Sequence, residues 1–281
     1  MRLRPGRDGG GFRPRSALAL SLLAVLGAIG AGCAEIAPRS LPVHDAAAGG
    51  RFSVSISPHV VLEFRNHGLN LGGLTRAALG RIDHLLPGPP TRVALVVGDP
   101  AEFLSDTGTT QFTDPETGAI TIGFLPSWAQ EPADIQLDLG RSLAHGVLRS
   151  VRVVSGPGLG TTLLDQLVSQ GMATAFDLAA FPGPPDPWVH ALAGAQECQQ
   201  WVQLKPALQE TVPFTPVMYG GVVSSPSLGE IWLPPLTGLA IGYDIVAGYL
   251  SRHPGSDWSD LAVTPGREIL AASGYRPCGT S

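Results

Sequence analysis

The sequence predicts an α+β protein, a small antiparallel or mixed sheet followed by a mostly helical C-terminal half. Two observations predict it. Apolar–polar alternation and β-branched runs cluster between residues 52 and 125, whereas apolar residues at fourfold spacing dominate from residue 135 onward.

Ahead of the fold, Arg2, Arg4, Arg7, Arg13 and Arg15 stand against a single acid, Asp8, and an uncharged apolar run follows over residues 17–31. Positive then greasy is the order of an export signal, and this run is shorter than the roughly 20 residues that a spanning helix needs. It ends in Gly30, Ala31 and Gly32 directly before Cys33, which resembles a bacterial lipobox, with Gly30 where such signals usually carry Leu. The resemblance implies that residues 1–32 are a removable signal and that Cys33 carries a lipid holding the protein to the membrane. Export to the extracytoplasmic side of a bacterial envelope is the expected location. Residues 33–50, with Pro38, Pro42 and a small-residue run, read as a tether, leaving residues 51–281 as the folded domain.

Without the signal, 18 basic and 23 acidic residues fall by five Arg and one Asp to 13 and 22, a formal charge of −9. Lys205 is the only lysine. Such a surface repels phosphate backbones and excludes nucleic acid as a partner.

Within the domain, FSVSI and VVLEF over residues 52–64 alternate as one or two strands interrupted by Pro58. Leu74, Ala78, Ile82 and Leu85 share one helical face, closed by Pro87 and Pro89. Residues 92–97 and 119–125 are strands, the second entered through Asp114, Pro115, Thr117 and Gly118. Residues 135–154 carry Leu139, Leu143, Val147 and Val151 at helical spacing. The following Gly156-Pro-Gly-Leu-Gly160 lacks the lysine of a phosphate loop and reads as a connector. Thr161 or Thr162 caps a helix running to about residue 180, with Leu164, Val168, Gly171 and Ala175 facing inward, and a proline cluster from Pro182 to Pro187 stops it. Shorter helices are expected near residues 190–204, 239–252 and 265–273, with a Gly/Pro/Ser-rich stretch over 211–236. With Cys33 lipidated, Cys198 and Cys278 form an even pair expected to bridge in an oxidising compartment, two separate buried thiols being the alternative.

One helix turn carries the functional signal. Leu143-Ala-His145-Gly146-Val-Leu-Arg149 aligns with H-E-x-x-H, in which two imidazoles one turn apart hold a zinc and the glutamate polarises its water. Downstream come Gln170-Gly171, Pro187-Trp188, Gly242-Tyr243 and Glu268-Ile-Leu-Ala-Ala-Ser273. In this order they resemble the landmarks of a bacterial family of predicted zinc-dependent proteases, over roughly residues 90–275. The resemblance implies a zincin-like fold in which His145 stands at the first ligand and Gly146 at the general base. Arg149 then stands at the second ligand, Gln170 at the third, and Tyr243 where a transition-state donor would be.

Three of those four metal-site residues are unsuited to a catalytic zinc, which wants three imidazole or anionic donors and a carboxylate beside its water. A guanidinium offers no lone pair, and each cation about 5 Å from the ion disfavours it by several kcal/mol. No catalytic residue, cofactor or metal is therefore expected, the ancestral zinc being lost. His44, His59, His67, His84, His190 and His253 are scattered along the sequence. Arg149 is expected either to hold former zinc-pocket carboxylates together in the metal's stead or to face solvent with Arg152. The implied function is a lipid-anchored, inactive relative of a protease that binds a peptide or protein partner in the remnant cleft. A working metallopeptidase recruiting His145 with other ligands, and a purely structural envelope lipoprotein with no cleft, are the alternatives.

Overall fold

The computed structural model describes residues 44–46, 50–98, 108–125, 132–192 and 194–278. The expected signal, Cys33 and most of the tether lie outside the described residues. Among those described, no helix is long and apolar enough to cross a membrane.

The first part of the chain builds a mixed sheet and its covering helices. Strands β1 (His44–Ala46) and β2 (Phe52–Ile56) lead into helices α1 (Pro58–Asn66) and α2 (Leu71–Leu85). Then come β3 (Thr91–Val97), β4 (Thr109–Thr113) and β5 (Ile120–Phe124). The spatial order is β1-β2-β3-β5-β4, with β2, β3 and β5 parallel and the two outer strands antiparallel to their neighbours. The apolar alternation of β2 and β3 buries Val54, Ile56, Val93 and Leu95. VVLEF, expected as a strand, is helical, because Pro58 sits in the first turn after Ser57, where its missing N–H costs nothing.

The rest is helical except for one hairpin. Helix α3 (Pro132–Ser155) buries Ile135, Leu139, Leu143, Val147 and Val151, the stripe that the spacing predicts. Thr162 caps α4 (Leu163–Ala180) by accepting from the Asp165 N–H at 3.2 Å while its hydroxyl donates to that aspartate's carboxylate. Helices α5 (Ala195–Leu204) and α6 (Phe214–Tyr219) follow, then β6 (Gly221–Ser225) and β7 (Gly229–Leu233), which pair as an antiparallel hairpin. The chain ends in α7 (Thr237–Arg252), α8 (Trp258–Val263) and α9 (Gly266–Ser273).

Helices α4 and α7 cross with their backbones in contact. A Cβ on Gly171 would stand 1.9 Å from the Gly242 carbonyl oxygen, and one on Gly242 2.2 Å from that of Leu167. Both glycines flanking the landmark residues Gln170 and Tyr243 are thus explained by packing. Arg152 is fully buried, its Nη1 donating to the carbonyls of Ala262 at 3.0 Å and Thr264 at 3.3 Å. It pins α3 to the α8–α9 turn, contrary to the expectation that it faces solvent. Cys198 and Cys278 are disulfide-bonded, 80 residues apart, and fasten α5 to the C-terminal segment. Closing such a loop stabilises the fold by about 4 kcal/mol through the unfolded chain's lost entropy.

Candidate functional site

A cleft of about 580 Å³ opens where α3, α4, α6 and the edge strand β4 meet. Helix α3 supplies Arg141, Ser142, His145 and Arg149, α4 supplies Gln170, Thr174 and Asp177, and α6 supplies Thr215 and Tyr219. On α3 the contributing residues recur every fourth position, which is why one helix face brings them together. The five other sequence histidines with described side chains, His59, His67, His84, His190 and His253, do not line it.

His145 sits at its centre with both ring nitrogens engaged. Nδ1 lies 3.2 Å from Oδ2 of Asp177, and Nε2 lies 2.9 Å from Oε1 of Gln170. Burial first, and then the Arg149 charge, pull the imidazole down to about 3, while the Gln170 hydrogen bond acts the other way. Burial and then the neighbouring Asp186 charge push the Asp177 carboxyl well above its ordinary 3.8, against the pull of Arg141. The imidazole is therefore neutral at pH 7, and with Oε1 of Gln170 as the acceptor it is Nε2 that carries the hydrogen, leaving Nδ1 to face the Asp177 carboxyl.

The residue at the family's third-ligand position thus does face the one at its first, across α3 and α4. Asp177 is not legible in the sequence, because the motif comparison stops at Gln170-Gly171. The signal was its position seven residues on, along the same face of α4. In a metal site, a carboxylate on the far nitrogen of a histidine is the group that orients the ligand.

Gly146 leaves no space for a general base. A Cβ there would lie 2.7 Å from the Ile120 side chain and 3.3 Å from Nε2 of Gln111, so the sheet has closed against α3. Tyr243 does not line the cleft; it is half-buried against the core, and burial raises its phenol. Among the tryptophans, Trp188 lines the cleft, whereas Trp201 and Trp258 stack edge-on against Tyr275 and Phe176.

The two cleft arginines behave differently. Arg141 donates to the carbonyls of Phe181 at 3.2 Å and Pro184 at 2.9 Å and to Asp186 at 3.1 Å, tying down the proline-rich segment after α4. Arg149 makes no ion pair or hydrogen bond among the described residues. Its Nε is sealed from solvent with no acceptor, and its guanidinium carbon lies 5.9 Å from the Phe214 ring centroid. The expectation that it gathers carboxylates is corrected here: α6 presents it with the aromatic rings of Phe214 and Tyr219. Burial lowers it to about 10, so it stays protonated at neutral pH.

These residues do not fit a catalytic zinc. His145 is engaged on both sides, Gln170 brings a neutral amide, Arg149 brings a permanent cation, and Gly146 brings nothing. Among the described residues no group of three His, Cys, Asp or Glu side chains is arranged to hold a metal ion. A family model described as Predicted Zn-dependent protease (DUF2268) matches residues 74–271. No curated protein and no solved structure matches the chain.

Proposed function

The chain belongs to the family of predicted Zn-dependent proteases over residues 74–271, and on that basis we propose that it is a zincin-like member that has exchanged hydrolysis for binding. In this reading the protein is exported and lipid-anchored through Cys33. Residues 33–50 are its leash, and the cleft around His145 receives a peptide or protein partner at the membrane surface.

The single observation that carries the reading is the charge at position 149. An unneutralised guanidinium occupies the helix turn that would offer the second imidazole, and Gly146 beside it is crowded by Ile120. Binding without turnover asks only for a shaped, polar cleft, and the one lined by Gln170, Thr174 and Tyr219 supplies it. That cleft also speaks against a purely structural lipoprotein.

A second reading, a metallopeptidase using His145 with unorthodox ligands, draws on Asp177, which is placed as an orienting carboxylate would be. Equilibrium dialysis against zinc, run beside a peptidase assay on casein, separates the two. The binding reading expects neither stoichiometric zinc nor cleavage, in the wild type or in His145→Ala. One zinc per chain, lost together with cleavage in His145→Ala, would install the enzyme instead.

A further inference from the structure

We propose that Arg149 is a carboxylate-recognition residue, and that the cleft takes a ligand bearing a single carboxylate seated on its guanidinium beside the hydroxyls of Tyr219 and Thr215. The inference rests on the binding reading, since a resident zinc would not tolerate the same cation.

Three features of the cleft point this way. Arg149 is partly buried, with no ion pair or hydrogen bond to any described residue and with its Nε sealed from solvent. A desolvated guanidinium without an acceptor costs free energy that an incoming anion would recover, because a planar fork and a carboxylate match as two parallel hydrogen bonds. Two exposed residues of α6 that can donate, Tyr219 and Thr215, line the same cleft, and Tyr219 lies close enough for its phenol and the Arg149 charge to act on each other. Phe214 and Tyr219 form the wall behind the cation, their ring centroids 6.2 Å apart and edge to face. That wall keeps water from solvating the charge on one side.

The charge balance selects a monoanion. Asp186 is already taken by Arg141, and Asp177 is spent on His145, so both acids remain in the cleft beside any guest. Asp138 lines the cleft as well, and one uncommitted cation close to three acids suits one carboxylate and disfavours a phosphate dianion. The carboxylate can come from a peptide C-terminus or from a small free acid, and the chemistry at Arg149 is the same for both.

Isothermal titration of the full chain in detergent tests this with four probes: tetra-alanine with a free C-terminus, its C-terminal amide, propionate and inorganic phosphate. The free acid should bind at least roughly tenfold more tightly than the amide, and Arg149→Ala should erase that preference. Arg149→Lys should keep part of it, as a point charge without the fork. Should Arg149→Ala fail to fold, Tyr219→Phe removes one donor from the cleft rim and should weaken the free acid several-fold while leaving the amide and the melting temperature unchanged. Tighter binding of the peptide acid than of propionate assigns the site to chain ends, and equal binding assigns it to small acids; both support the proposal. Equal affinity for acid and amide, preference for phosphate, or no carboxylate binding at ~10 mM would overturn it. A chain free of zinc and of peptidase activity that ignores carboxylates would refute this inference alone and leave the binding reading standing.

Discussion

The cleft has two ends, each closed by an arginine four residues from His145, and the two have opposite fates. At one end Arg141 is consumed by the protein itself, through two carbonyls and Asp186. At the other, Arg149 has no hydrogen bond or ion pair among the described residues and lies 5.9 Å from the Phe214 ring centroid. Equivalent positions on one helix stripe thus differ: one is a clasp, and the other has no hydrogen bond or ion pair among the described residues. The difference lies in what packs opposite: the proline-rich segment after α4 brings acceptors, whereas α6 brings Phe214 and Tyr219. A buried cation whose partners are all internal explains itself as structure, and one left without partners asks for something from outside.

Substitutions at the two ends should separate them, and the largest effect is expected at the clasp. Arg141→Ala leaves Asp186 half-buried and unpaired and should cost about 3 kcal/mol in urea unfolding. Gly146→Glu, between the ends, restores the family's general base in sequence only. It must push Ile120 and Gln111 aside, and it should cost about 2 kcal/mol and yield no peptidase activity on casein. At the Arg149 end, Arg149→Met should leave stability unchanged within ~0.5 kcal/mol or raise it, because it removes a desolvated charge with no ion pair. If Arg149→Met lost as much as Arg141→Ala, the two ends would be alike and the comparison broken.

The smallest effect concerns pH. Burial raises the Asp186 carboxyl from its ordinary 3.8 despite the attraction of Arg141. The folded state therefore holds this proton longer than the unfolded chain, and the associated stability is present below that ordinary value and lost as pH rises through the raised one. Asp186→Asn keeps the neutral form throughout, so the melting temperature of the variant should gain on that of the wild type as pH rises from acid to neutral. A gap that moves the other way would mean that Arg141 outweighs burial.

How much of this was legible in the sequence differs by element. The long helices α3 and α4 announce themselves by fourfold spacing, because a buried helix face can be made in few other ways. The strand β4 does not, since Thr109–Thr113 is an edge strand of mostly polar residues whose role is set by its partner β5. The hairpin of β6 and β7 and the short helix α6 were hidden inside a stretch rich in Gly, Pro and Ser, where local propensity says only that the chain turns. Within the site, the family resemblance brings out His145, Gly146, Arg149 and Gln170; helix geometry places the first three on neighbouring turns of α3, whereas Gln170 reaches His145 from α4 through packing. Asp177 falls outside the motif, and Tyr243 is not among the residues lining the cleft, although Gly171 and Gly242 bring the backbones of α4 and α7 into contact. The environment of Arg149 is a tertiary property: Phe214 stands 65 residues on, and nothing in the helix itself foretells an aromatic neighbour.

The central claim, that His145 is committed to Asp177 and Gln170 while Arg149 holds the place of a second ligand, meets its most direct test in crystals grown with zinc and measured across the zinc absorption edge. The account predicts no anomalous peak beside Nε2 of His145 and an unbroken contact between that nitrogen and Gln170. A peak at bonding distance from His145, with the Arg149 side chain turned out of the cleft, would contradict it.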